Sequence, residues 1–238
     1  MKVRLLPVML AIAFASIASD ISAQTTAFRQ EVQFGAYAGG NASMLYFAPN
    51  ITQKMMIRSN VGVAARYISE KYFGIQAELG YSQRGWMRDF EGTKFDCYYN
   101  RTMEYLEFPL LTHITFGEKT QVFVNLGPKI SLLLNEKEHT DYTPPTGEAD
   151  EDKVQSSTSP DPEIHLATQN SFDWGIVGGI GLEFNTKAGS FLIEGRYYYG
   201  LGNIFNSTKR DPFAQSSFQN ISLNVSYLIP NILTKTVK

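Results

Sequence analysis

A strand that carries a charge at its centre constrains this chain more than any other feature. Along residues 105–116, Leu106, Phe108, Leu110, Thr112, Ile114 and Phe116 share one side of an extended strand, and Tyr105, Glu107, Pro109 and His113 share the other. A soluble sheet turns its apolar face to a core and shows its charges to water. A transmembrane barrel inverts this, with the apolar face on lipid and the polar face lining the interior. The rest of the chain has to decide between the two.

Seven further segments alternate in the same way. Val32, Phe34, Ala36 and Ala38 mark a first strand over 32–41; Val61, Val63, Ala65 and Tyr67 a second over 59–68; Phe73, Ile75, Ala77, Leu79 and Tyr81 a third over 73–86. After the opening stretch, Val122, Val124, Leu126, Ile130, Leu132 and Leu134 mark a fifth, and Trp174, Ile176, Ile180, Leu182 and Phe184 a sixth. Phe191, Ile193, Tyr197 and Tyr199 mark a seventh; Ile221, Leu223, Val225, Tyr227 and Ile229 mark an eighth. Connections after the second, fourth and sixth strands are short. Those after the first, third, fifth and seventh are long, above all residues 135–171, which are rich in Asp, Glu, Pro, Ser and Thr. So long a segment without periodicity counts against a compact soluble domain, whereas short turns at one end and long loops at the other are usual for an outer-membrane barrel. The expected fold is all-β: an eight-stranded, closed, antiparallel, up-and-down transmembrane barrel with short periplasmic turns and long extracellular loops.

The rings supply a second test. Trp174 and Phe184 stand ten residues apart on one strand, which at ~3.3 Å per residue and ~45° tilt spans roughly 23 Å, against an apolar band about 25 Å tall. Phe73 with Tyr81 and Phe191 with Tyr199 bracket their strands similarly, and with Phe116 and Tyr227 they make up two expected aromatic girdles.

At the N-terminus, Lys2 and Arg4 precede an apolar run over residues 5–18, and Ile21-Ser22-Ala23 reads as a cleavage site. The expected organisation is a signal peptide at 1–23 and a barrel domain at 24–238, with the barrel itself at about 32–229. Removing 1–23 leaves a net charge of about −3, which points away from nucleic-acid partners. The one cysteine, Cys97, can form no internal disulfide.

Three stretches together carry a family likeness: Tyr105-Leu106-Glu107-Phe108-Pro109-Leu110-Leu111; residues 175–184, Gly-Ile-Val-Gly-Gly-Ile-Gly-Leu-Glu-Phe; and residues 194–201, Glu-Gly-Arg-Tyr-Tyr-Tyr-Gly-Leu, with Asn203-Ile204 following. Over about residues 30–229 the chain resembles the PorT-like outer-membrane β-barrel family of Bacteroidota. The resemblance implies an outer-membrane location and a barrel, and for some members a part in type IX secretion. Such barrels commonly stop at a terminal aromatic, whereas this chain passes Tyr227 and Pro230 and runs on to Lys238.

The interior phase of the strands carries Arg66, Glu78, Glu107, Lys129, Glu183, Glu194 and Arg196. Eight strands enclose a lumen just wide enough for side chains to fill, so these charges are expected to pair across it as a structural plug. Pro109 on the same face predicts a bulge. Of the histidines, His113 faces inward and His139 and His165 fall in the long loop, where Glu138, His139 and Asp141 could imitate a hydrolase rim site without a positioned nucleophile. Asp150-Glu151-Asp152 reads as a solvated acidic run and Cys97 as inert. No catalytic residue, cofactor or metal is expected. The expected partners are outer-membrane lipid and lipopolysaccharide, with a protein partner at the extracellular loops or the periplasmic side, and the chain is expected to be monomeric. The leading reading is a non-enzymatic surface or secretion-associated barrel working through its loops. An outer-membrane hydrolase (protease or lipid A deacylase type) and a soluble lipocalin-like carrier are the alternatives.

Overall fold

The computed structural model describes residues 29–88, 98–118, 120–140, 166–208 and 212–236. Eight strands follow in chain order: β1 (Arg29–Ala48), β2 (Gln53–Glu70), β3 (Phe73–Arg88), β4 (Tyr99–Gly117), β5 (Thr120–Thr140), β6 (Phe172–Thr186), β7 (Gly189–Gly200) and β8 (Gln215–Thr236). Each pairs antiparallel with its neighbours, and β1 pairs with β8, so the sheet closes and leaves no edge.

The registers fix the barrel's shape. From Trp174 the paired row runs through Ile130, Phe108, Leu79, Val63, Ala36, Tyr227 and Phe191 and returns to β6 at Phe184, ten residues from its start. A stagger of ten residues at ~3.3 Å around eight strands at ~4.8 Å tilts the strands by roughly 40°. The same tilt puts Trp174 about 25 Å above Phe184, the height of an outer-membrane apolar band.

The alternation sorts the faces as a membrane requires. Val61, Val63, Leu79, Leu110, Val124, Leu126, Ile176, Ile180, Ile193, Leu223 and Val225 are exposed on the outside. Inside lie buried Gln76, Glu78, Glu107, Asn125, Lys129, Glu194 and Arg196. A lipocalin-like carrier needs the opposite phase, and the structure therefore contradicts that reading.

The strands are longer than the sequence periodicity predicts. β1 and β2 continue to a connection at residues 49–52, so the expected loop over 42–58 is mostly strand. β4 and β5 continue to the pair Tyr99↔Thr140, ten residues beyond Ile130, which puts their tips roughly 25 Å above the level of Trp174. Past the lipid band both faces of a strand meet polar surroundings or a plug, so the alternation that marks a strand in sequence fades while the hydrogen-bonded ladder persists. Residues 135–140 of the loop expected at 135–171 accordingly belong to β5. β8 also passes Ile229, because Pro230 falls in a bulge where Val32↔Leu233 and Phe34↔Ile229 leave Gln33 facing residues 230–232. The bulge expected at Pro109 is not found. Pro109↔Lys129 keeps the register of β4 on β5, and the irregularity on that seam lies between Glu104 and Tyr105. A proline lacks one donor but adds no residue, so the ladder loses a bond without shifting. The signal peptide, Cys97, Asp141, Asp150–Asp152 and His165 lie outside the described residues.

Candidate functional site: a filled lumen

The interior is occupied in tiers. At the tight-turn end Ala64, Phe123, Leu192 and Leu228 form a small apolar layer. Gly181 lets Phe123 lie there, since a Cβ at this position would run into the Phe123 ring.

Above it the polar side chains close a ring across six strands. Arg66 donates from Nε to Gln76 Oε1 at 2.7 Å and from Nη1 to Glu183 Oε2 at 2.8 Å. Gln76 donates to Glu78, and Arg196 grips both Glu78 oxygens at 2.6 Å and Glu194 Oε2 at 2.8 Å. Asn125 Nδ2 donates to Glu194 Oε1 at 2.9 Å, and its Oδ1 accepts from His113 Nδ1 at 2.7 Å. His113 Nε2 stands 3.7 Å from Glu183, beyond hydrogen-bond reach, and completes the circuit by proximity. Glu78, Glu183, Glu194, Arg66 and Arg196 thus lie in one network.

A second tier holds Glu107 and Lys129. Lys129 Nζ donates to Glu107 Oε1 at 3.1 Å, and Arg84 Nε lies 3.2 Å from the same oxygen. Arg84 Nη1 reaches Asp173 Oδ2 at 3.0 Å, where the Tyr198 hydroxyl also donates at 2.9 Å. The Arg84 guanidinium lies 4.1 Å from the Tyr105 ring centre and 4.8 Å from that of Phe218, and Lys129 Nζ lies 3.8 Å from that of Tyr198. Fully buried cations are tolerated only with such partners. Between the tiers remains a cavity of about 20 Å³ beside Tyr37, Lys129, Arg196 and Asn224, room for about one water.

The long-loop end is capped by rings. Phe47, Trp86, Tyr99, Met103 and Tyr105 from the strands pack with Ile204, Phe205 and Phe213 from the β7–β8 connection. Phe47 and Phe213 centroids are 4.7 Å apart, and Trp86 meets Phe205 edge-on at 6.2 Å. Backbone bonds fasten the connection at both ends, with Gly202 N donating to Trp174 O, Ile204 N to Ser216 O and Ala214 N to Ala48 O. Arg101, ion-paired with Glu136, donates to Leu166 O at 2.6 Å and covers Trp86 and Phe205.

All seven interior charges singled out in the sequence are therefore buried and paired. Sequence reasoning missed Arg84, although it shares the phase of Glu78 and Ser82, and it missed Asp173 as a charge although the residue lay in the interior phase of its strand. The ring cap had no periodic signal, since Ile204, Phe205 and Phe213 sit in a connection. The eight girdle residues all face outward. On the staggered registers Phe73, Phe116, Phe184, Phe191 and Tyr227 fall within roughly 7 Å of one level, and Tyr81, Trp174 and Tyr199 within about 5 Å of another. No cluster able to hold a metal occurs among the described residues. His139 is exposed, its ring edge-on to Tyr98, while Glu138 lies in the opposite phase, opposite Arg101. The two do not form an acid–histidine pair.

An apolar exterior about 25 Å tall, a closed antiparallel ring and an ion-paired lumen define an eight-stranded outer-membrane barrel. The family model for the outer membrane protein beta-barrel domain matches residues 22–206, and the chain belongs to that family, located in the outer membrane. No curated protein matches it in sequence. Among solved structures it is similar to Ail, the attachment invasion locus protein of Yersinia pestis, at 13% identity and a TM-score of 0.40, over 84% of this chain and 99% of that one. Neisserial surface protein A matches at 11% identity and TM-score 0.40, over 82% and 96%. The outer membrane protein AlkL matches at 12% and 0.39, over 90% and 97%.

Proposed function

We propose that this chain is a non-enzymatic, monomeric barrel of PorT-like type, delivered by a signal peptide at 1–23, that works through its long-loop end in surface interaction or secretion rather than as a diffusion pore. The observation that carries this reading is the lumen, filled from the Phe123 layer through both ion-paired tiers to the Phe205 cap. A pore needs a continuous aqueous path, and a hydrolase needs a nucleophile beside a base. The strand extensions of β1, β2, β4 and β5 offer a partner a platform on the extracellular side, with the tight turns in the periplasm. The three quoted motifs support the PorT-like assignment, and with it Bacteroidota as the source and secretion as the setting.

The test is purified barrel folded into planar bilayers and, in parallel, incubated with lipid A and with peptide substrates. Electrical silence and intact substrates are expected. Steady conductance steps, or product formation lost on substituting His139, would replace this reading with a pore or a hydrolase.

A further inference from the structure

The seam between β2 and β3 opens at one place. The pairs run in one register up to Asn60↔Ser82 and resume shifted at Met55↔Trp86, so residues 56–59 leave the β3 ladder. Side chains of β1 fill the gap. Ser43 Oγ donates to Gly85 O and accepts from Gly85 N, both at 2.9 Å, and Asn41 Nδ2 donates to Gln83 O at 2.7 Å. β2 therefore rides outside the wall here, with β1 reaching beneath it to β3.

This displacement re-aims Arg58. In the regular phase of β2, with Gly62, Ala64 and Arg66, Arg58 would face the lumen. Instead its Nη2 donates at 3.1 Å to Thr102 Oγ1, and Thr102, between buried Arg101 and Met103, faces the barrel's outside. Met56 follows the same path, its sulfur lying over Gly85 and 3.6 Å from Thr102 Oγ1. Re-aiming a side chain is what bulges do near functional surfaces. Ile57, between the two, is 74% exposed, more than any other large apolar side chain described.

Height and charge identify what the guanidinium meets. Val63 lies half-way up the band, and Arg58, five residues further along β2, stands about 25 Å above Phe184, level with Trp174. That is the boundary between acyl chains and headgroups. Arg58 has no carboxylate partner among the described residues; its other bond is to Ile57 O. Opposite Thr102 on β5 stands Lys137, paired with Glu104 and with a side chain 69% exposed. Thr102, its hydroxyl hydrogen turned to the Met56 sulfur, holds Arg58 in place, so that Arg58 and Lys137 on either side of it offer guanidinium and ammonium N–H groups to one anion, and a guanidinium fork matches phosphate oxygens.

We propose that Arg58 and Lys137 bind the phosphate of an outer-leaflet lipid headgroup, with Ile57 and Tyr81 against its acyl chains. The inference rests on the long-loop end being extracellular. The direct test is native mass spectrometry of the detergent-folded full chain with phosphorylated lipid A and with the same lipid enzymatically dephosphorylated. Phosphorylated lipid A should be retained by the wild type and lost at least tenfold more readily from R58Q. T102V, on a regular stretch of β4, should weaken retention several-fold, K71Q at the opposite end should not, and the dephosphorylated lipid should bind weakly throughout. Equal retention by R58Q and T102V, or equal retention of the dephosphorylated lipid, would overturn the site. Each variant's heat-dependent gel shift reports folding, and protease cleavage between β5 and β6 on intact cells reports orientation, so failure of the underlying reading is distinguished from failure of the site.

Discussion

Arg196 holds two buried carboxylates, Glu78 and Glu194, and replacing it with methionine removes little volume but all of its charge. Glu78 would keep only its bond from Gln76, and Glu194 only that from Asn125. Breaking one buried ion pair by removing a single partner costs about 3–5 kcal/mol, because the remaining charge stays buried without compensation. With a urea slope of ~2 kcal/mol/M, the low end of that range lowers the midpoint by roughly 1.5 M and the high end by roughly 2.5 M. The assay is urea unfolding of the barrel in lipid vesicles, followed by the emission of Trp86 and Trp174 and by loss of the compact gel form. Lys137→Gln breaks only an exposed pair and is expected to move the midpoint by less than ~0.5 M, because solvent screens such a pair. If R196M folds and unfolds at the wild-type midpoint, the lumen is wet enough to solvate Glu78 and Glu194, and the description of it as a dry ion-paired plug is wrong.

Other perturbations reach the remaining layers. Val63→Arg, at mid-height on the lipid face, should cost about 2–4 kcal/mol, and Ile57→Arg at the interface about 0–1; the same urea assay separates them. Gly181→Val drives a Cβ into the Phe123 ring and Ile193 backbone and should lower stability by about 1–3 kcal/mol, whereas Gly195, with open space around its Cβ position, should accept alanine without loss. Phe213→Ala should cost about 3 kcal/mol or more by opening a void against Phe47, detectable as a lower unfolding midpoint. Brominated lipid should quench the emission of W86F, which retains outward Trp174, and leave that of W174F, which retains buried Trp86, nearly unchanged.

The number, order and phase of the strands were legible because lipid imposes one rule on every outward position over about 25 Å. Leu106 to Phe116 and Trp174 to Phe184 state that rule openly. The lumen charges of both tiers were legible for the same reason, since Glu78, Glu107 and Arg196 sit opposite lipid-facing residues. Their partners were not, because pairing joins residues such as Arg66 and Glu183, 117 positions apart, and depends on the ten-residue stagger that only the closed ring reveals. Above the lipid the rule lapses: Tyr99, Met103 and Leu45 are buried against a plug of rings, and strand continues where alternation by hydropathy has stopped. The bulge at residues 56–59 was hidden for a related reason, since Arg58 keeps its place in the alternation while its side chain changes sides.

The central claim is that one phase of the strands meets lipid and the other an occupied lumen. It is tested most directly by a nitroxide scan of β5 over residues 121–134, one cysteine at a time on a Cys97→Ser background, in lipid vesicles. Oxygen accessibility should peak at Val122, Val124, Leu126, Ile130 and Leu132 and fall at Phe123, Asn125, Lys129 and Ser131, with a period of two and immobilised spectra at the minima. Equal mobility and accessibility in both phases, or maxima at the lumen positions, would contradict it.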